Sequence, residues 1–277
     1  MSYTAEISRT NPTAFIFLID QSGSMSDMLP SGRSKAQQLA DVLNRTLFNL
    51  ITRCTKSEGT RNYFEIGVIA YNGRGIYNGF KNELSNNIIN KISDVESFPL
   101  RIEDRQKKMD DGAGGIVEQT IKFPVWFDPE AYGGTPMCEA MERTAIELVE
   151  WCDNHQNSYP PTILHITDGE STDGDPEILG QKLQLIKTLD GESLIFNLHL
   201  SSRSSNPIKF SSNEDELPND FAKMLFRMSS KLPNHLIQFA REKGYSVDND
   251  AKGFMFNADA IDIVDFFDIG TRASQMR

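Results

Sequence analysis

The chain has 277 residues, 39% hydrophobic and 24% charged, a composition that suits a globular domain and excludes disordered and fibrous classes. Acidic residues outnumber basic ones by 39 to 28, and the net charge of −11 repels phosphate backbones and anionic lipid, so neither nucleic acid nor a membrane is the expected partner. The first residues carry no apolar signal core, no run reaches the ~18 apolar residues that span a bilayer, and Cys54, Cys138 and Cys152 form no close pair, so a cytoplasmic protein with reduced thiols is expected.

Residues 13–19 (Thr-Ala-Phe-Ile-Phe-Leu-Ile) form a continuous apolar run ending at Asp20, the pattern of a strand buried on both faces of a parallel sheet. A Ser/Gly-rich loop follows, and from Ser34 to Arg53 the residues Ala36, Leu39, Ala40, Leu43, Leu47, Leu50 and Ile51 recur at helical spacing. Residues 63–71 predict a second central strand, and Asn72-Gly-Arg-Gly a turn into a short extended segment near 76–80. The stretch 81–132 is the least regular. It predicts a short helix over 85–92, extended pieces at 100–102 and 116–127, and a flexible loop at Gly112-Ala-Gly-Gly115, together a projecting hairpin or lid-like insertion.

Regularity returns at Gly133-Gly-Thr-Pro136, where Pro136 suits a first helical turn running to about Cys152. Residues 161–167 read as a third buried strand ending at Asp168-Gly169. Helices are expected over 176–189, 220–230, 234–243 and 259–267, and strands over 193–200 and 252–256. Alternating strands and helices predict an α/β fold with a doubly wound, mostly parallel sheet covered on both faces. Ligands of such sheets sit beyond the carboxyl ends of the strands, and Asp20 and Asp168 both follow strands at that edge.

Three pieces carry the chemistry: Asp20-Gln-Ser22-Gly-Ser24 after the first strand, Gly134-Thr135-Pro136 before a helix, and Thr167-Asp168-Gly169 after a strand. Each piece alone is a common turn signal. Together Asp20, Ser22, Ser24, Thr135 and Asp168 offer only oxygen, which suits a hard cation in a near-octahedral shell that keeps several waters. The set resembles the metal-ion-dependent adhesion site of von Willebrand factor A (vWA) domains, whose Asp-x-Ser-x-Ser, separate Thr and separate Asp all match here.

The resemblance spans most of residues 10–270. It implies a single vWA domain over 1–277 with a Rossmann-like sheet and an insertion at about 81–132. It further implies that Ser22 and Ser24 bind Mg²⁺ (or Mn²⁺ or Ca²⁺) directly, that Thr135 joins them in the ligand-bound state, and that Asp20 and Asp168 hold coordinated waters. The open position would then take a Glu or Asp of a protein partner. Relatives of this intracellular type act as adaptors, which makes an AAA-type ATPase, a metal chelatase or a kinase–phosphatase signalling system the implied partner class.

Other residues have two readings each. Glu170, Asp173 and Asp175 either widen the cation site or, as favoured, Asp173 and Asp175 cap the following helix. His165 reads as a hydrogen-bonded core residue, and His155, His199 and His235 lack partners at ligand spacing. Arg101, Arg105, Lys107 and Lys108 form a basic run, either a docking surface or a solvated hairpin tip. Met25, Met28, Leu29 and Met137 either rim the metal edge or pack beneath it.

Two competing functions are weighed against the binding module. A metal-dependent phosphohydrolase of the haloacid-dehalogenase type needs a second Asp where Ser22 stands, and no nucleophile elbow or phosphate loop is present, so no enzyme is expected. Conformational signalling through the last helix, with Ile261, Ile263, Val264, Phe266 and Phe267, would require two states of different ligand affinity.

Overall fold

The computed structural model describes residues 3–110, 116–201 and 206–273. In chain order the strands and helices are β1 (Thr13–Asp20), α1 (Lys35–Cys54), β2 (Thr55–Lys56), β3 (Gly59–Thr60), β4 (Phe64–Asn72), β5 (Gly75–Asn78), β6 (Ile89–Lys91), α2 (Ile92–Ser97), β7 (Arg101–Asp110) and β8 (Ile116–Val125). They continue with α3 (Met137–Asn154), β9 (Thr162–Thr167), α4 (Glu177–Leu183), β10 (Leu194–Leu200), β11 (Ile208–Lys209), α5 (Asp220–Met228), α6 (Asn234–Glu242), β12 (Phe254–Ala258) and α7 (Ala260–Gly270).

The central sheet has the order β11-β12-β10-β9-β1-β4-β5, with β6 also on β4. The pairs β1–β4, β1–β9, β9–β10 and β10–β12 are parallel, while β5, β6 and β11 are antiparallel additions. The fold is therefore α/β with a mostly parallel sheet between helices, as the alternating pattern predicts. Side chains of β1 alternate between two cores. Phe15, Phe17 and Ile19 join residues of α1, α6 and α7, whereas Ile16 and Leu18 join residues of α3, α4 and α5. A strand enclosed by helices on both faces must be apolar at every position, which is why the sequence shows a continuous run there.

The structure refines several predicted boundaries. Residues 85–92 do not form one helix: a 3-10 turn at Asn82–Asn86 leads into β6, whose Asn90 faces Ile66 of β4, and α2 then buries Ile92 and Val95. Pairing with an open sheet edge overrides a weak helical signal there. The predicted helix over 176–189 stops at Leu183 because the chain must turn into β10. Thr188 N–H bonds the Gly191 carbonyl (3.0 Å) and Ser193 N–H bonds the Ile186 carbonyl (2.8 Å), leaving Leu185 and Leu189 exposed.

Within 81–132 the projecting part is the antiparallel ribbon β7–β8. Its root is fixed on α1 by Asn44, which is buried. The Asn44 carbonyl accepts from the Trp126 and Phe127 N–H groups (2.8 and 3.0 Å), and its amide donates to the Phe127 carbonyl (2.8 Å). Arg101 pairs with Glu103 and Asp128, and Arg105 with Glu103 and Asp41, so both are engaged within the fold. The side chains of Lys107 and Lys108, and the Gly112–Gly115 loop, lie outside the described residues.

Candidate metal centre

The chain leaves β1, crosses to β4 on one side and later returns to β9 on the other, so a crevice opens at the carboxyl end of β1 where the winding reverses. Asp20 is level with Tyr71 of β4, and Ile19 with Ile166 of β9. This register sets Asp20 beside Thr167, and Asp168 one residue farther out. Thr167 Oγ1 donates to Asp20 Oδ2 (2.7 Å), and the Ser22 N–H donates to Asp20 Oδ1 (2.8 Å). Both oxygens of a buried carboxylate are thus held. Burial pushes the Asp20 carboxyl up to about 6, against the opposing bonds from Thr167 and Ser22.

The next residues bring the hydroxyls in. Ser22, at the N-cap of a 3-10 turn over Gly23–Ser26, and Ser24 within it place their Oγ atoms 3.1 Å apart. Ser24 Oγ in turn donates to Asp168 Oδ1 (2.6 Å). Four of the five expected residues, Asp20, Ser22, Ser24 and Asp168, therefore form one hydrogen-bonded cluster with Thr167.

Thr135 reaches the same edge through backbone ties. The Gly23 N–H bonds the Gly133 carbonyl (2.8 Å), which joins the first loop to the loop before α3. The Thr135 N–H donates to Thr172 Oγ1 and the Thr172 N–H to the Thr135 carbonyl, both 2.9 Å, which joins that loop to the one after β9. A third close approach explains a glycine: a Cβ on Gly73 would stand 2.8 Å from Gly133 Cα, so the turn after β4 can pack here only without a side chain.

Two further residues that the sequence did not assign to the site are drawn to it. Lys35, the first residue of α1, is 5% exposed and its Nζ lies 2.7 Å from Asp168 Oδ2 and 3.2 Å from Asp27 Oδ2; the Asp168 side chain is 0% exposed. His199, at the end of β10, stacks on Phe256 with ring centroids 4.3 Å apart. Burial pushes its imidazole down to about 4, an effect that Asp168 opposes and Lys35 reinforces. Both residues line a cavity of about 480 Å³ beside Ser24 and Asp168. A polar residue at a helix start and a histidine at a strand end were the available signals, and neither names a partner without the fold.

The acidic loop after Asp168 splits in role. Asp175 accepts from the Glu177 N–H (2.9 Å) at the start of α4, as expected for a cap. Asp173 instead caps α3, accepting from the Cys138 and Glu139 N–H groups (3.0 and 2.9 Å), because the loop folds back across the sheet edge. Met25, Leu29 and Met137 are buried and pack under the loops, while Met28 is exposed.

The donor set can be tested against a divalent cation on its chemistry. It holds two carboxylates and the hydroxyls of Ser22 and Ser24, all oxygen, and a cationic group, the Lys35 ammonium, already sits on one of the carboxylates. A hard cation suits these donors. Among the described residues no group of three or more His, Cys, Asp or Glu side chains gathers as a metal cluster, so a cation here would rely on hydroxyls and water. Below the site a buried polar chain crosses the sheet: Tyr71 Oη lies 2.7 Å from His165 Nε2, and His165 Nδ1 lies 2.8 Å from Asn197 Oδ1. Because the Asn197 oxygen can only accept, Nδ1 carries the proton and Nε2 accepts from Tyr71. His165 is thus the hydrogen-bonded core residue the strand pattern suggested.

No family model matches the chain, and no curated protein does. Among solved structures it is similar to the manganese-loaded TRAP protein of Plasmodium vivax, at 13% identity and a TM-score of 0.38, covering 93% of this chain and 72% of that one. It is also similar to the pilus adhesin SpaC of Lactobacillus rhamnosus GG, at 10% identity and a TM-score of 0.48, covering 93% of this chain but 30% of the adhesin. A third is the type V pili tip protein Mfa5 of Porphyromonas gingivalis (12% identity, TM-score 0.30), of which the match covers 42%. The fold itself is given by the chain's own strand order: an α/β sheet, mostly parallel, with helices on both faces.

Proposed function

We propose that the chain is a vWA domain whose metal-ion-dependent adhesion site binds a divalent cation, Mg²⁺ or Mn²⁺, and through it captures a Glu or Asp side chain of a protein partner, without catalysis. The observation that carries this reading is the chain of oxygens from Ser22 to Ser24 (3.1 Å) and from Ser24 to Asp168 (2.6 Å) across two strand ends, next to the anchored carboxylate of Asp20. Ser22 and Ser24 would hold the ion, and Asp20 and Asp168 would orient its waters, the role that buried carboxylates play around metals generally. Thr135 would complete the set once the partner is bound. When present, the ion supplies a Lewis-acidic positive charge that neutral hydroxyls leave poorly compensated, which favours an anionic oxygen at the open position.

Such a contact acts as a hot spot inside a larger interface. An AAA-type ATPase or a kinase–phosphatase system is the partner class proposed, in the cytoplasm. No helix among the described residues is long and apolar enough to cross a membrane. The test is capture of partners by the purified chain in Mg²⁺ and in chelator, identified by mass spectrometry, with Thr135→Ala as control. A protein retained in Mg²⁺, released by chelator, lost with Thr135→Ala and bound through one of its own acidic residues supports the reading. Partners retained equally in chelator contradict it.

A further inference from the structure

We propose that Lys35 is a resident cation of this site, which balances Asp168 in the absence of a divalent ion and thereby sets how much of that ion is needed to occupy it. The inference rests on the metal reading above and adds a residue that opposes it.

An ammonium at the first residue of a helix faces the positive end of the helix dipole, and an ammonium withdrawn from water needs a paired anion. Lys35 meets both penalties, since it opens α1 and its side chain is 5% exposed. The fold compensates by building a pocket of carboxylates around it. The loop from Ser24 to Ser34 curls so that Lys35 N–H bonds the Asp27 carbonyl and Asp27 N–H bonds the Ser24 carbonyl, both at 3.0 Å. Asp27 Oδ2 then lies 3.2 Å from Nζ, and Asp168 Oδ2 lies 2.7 Å from it on the other side.

Asp168 is therefore shared. Its Oδ1 takes the hydroxyl of Ser24, a proposed metal ligand, and its Oδ2 takes Lys35. A dication arriving at the Ser22 and Ser24 oxygens must use a carboxylate whose charge is already balanced, with a like charge a few ångströms away. Two effects then oppose one another. Lys35 repels the ion, and it also holds Asp168 in place. Asp168 keeps a second tie through Ser24, so its orientation does not rest on Lys35 alone, and Asp27 beside Lys35 offsets only part of the repulsion between a +1 and a +2 group at short range. Repulsion decides the sign.

The test is calorimetric titration of the full chain with Mn²⁺ for the wild type, Lys35→Gln and Lys35→Met, with melting curves in chelator and in saturating Mn²⁺. The expected result is Mn²⁺ affinity raised about tenfold or more in both variants, lower melting temperatures in chelator, and recovery in Mn²⁺ as the ion takes over Asp168. A residue that only positions Asp168 gives a different pattern: weaker binding in Lys35→Met, rescued by Lys35→Gln, which can still donate a hydrogen bond. That pattern, unchanged affinity in both variants, or variants that stay unfolded even in Mn²⁺ overturns the role of Lys35 while a binding wild type leaves the metal site standing. Absence of Mn²⁺ binding in all three chains overturns the metal reading itself.

Discussion

Thr135 and Thr172 hold each other by two backbone-anchored bonds of 2.9 Å, Thr135 N–H to Thr172 Oγ1 and Thr172 N–H to the Thr135 carbonyl. Thr172 is four residues beyond Asp168, so this pair is what keeps a proposed ligand on one loop in register with the carboxylate on another. Thr172→Val removes the hydroxyl acceptor at nearly constant volume and leaves the Thr135 N–H without it. The expected cost is about 1–2 kcal/mol of stability in chemical denaturation, with a larger proportional loss of Mg²⁺-dependent partner binding than of stability.

At Asp20 the demands of folding and of the proposed metal binding oppose one another. Burial raises its carboxyl to about 6, so in the folded, metal-free chain the proton is held more tightly than in the unfolded chain, where the ordinary value is 3.8. For an acid shifted upward, the unfavourable ionised form is reached as pH rises through this window, and stability falls with it. At pH 7 the cost is on the order of 1–3 kcal/mol. Asp20→Asn is therefore expected to melt higher than the wild type in chelator at pH 7, and to lose about ten- to a hundredfold in Mn²⁺ affinity. Paired melting curves with and without Mn²⁺ check both halves.

The histidines give the pH dependence the opposite sign. His165 is fully buried between Tyr71 and Asn197, and burial pushes it from the ordinary 6.5 down to about 4. Between those values the unfolded chain binds the extra proton and the folded chain does not, so this stabilising contribution is complete above 6.5 and lost as pH falls toward 4. The difference is worth roughly 3 kcal/mol for His165. His165→Gln should be less stable than the wild type at pH 7, and the gap should close on acidification to pH 4. A gap that is constant from pH 7 to pH 4, measured by urea denaturation, would falsify the assignment of a neutral imidazole.

Asn44 carries the junction between α1 and the β7–β8 ribbon, with its carbonyl on two backbone N–H groups and its amide on the carbonyls of Ala40 and Phe127. Asn44→Ala strands several buried polar groups at once, and the expected loss is about 3–5 kcal/mol. Denaturant unfolding measures it. Exchange of alanine for exposed Arg45 beside it should cost less than about 0.5 kcal/mol.

What the sequence conveyed divides along physical lines. Asp20 and Asp168 could be placed because each ends an apolar run, and a run of that kind belongs to a parallel strand whose carboxyl end is the ligand edge. Ser22 and Ser24 came with Asp20 because their spacing is local. Lys35, Thr172 and His199 could not be read in the same way, since Asp168, Thr135 and Asn257, which they meet, are 133, 37 and 58 residues away in the chain. The helix expected over 176–189 includes Leu185 and Leu189, and the structure leaves both in solvent because the turn at Thr188–Gly191 takes precedence. Asp173 failed as a cap of the next helix for a related reason: sequence proximity favours α4, but the fold brings the start of α3 closer.

Oxygens of Asp20, Ser22, Ser24, Thr135 and Asp168 are proposed to hold one divalent ion together. Titration calorimetry with Mn²⁺ on the wild type and on the Ser22→Ala, Ser24→Ala double variant tests it most directly. One saturable site per chain is expected in the wild type, and none in the double variant, whose circular dichroism and melting in chelator stay close to the wild type. Wild-type protein that takes up no Mn²⁺, or a double variant that binds it undiminished, would contradict the account.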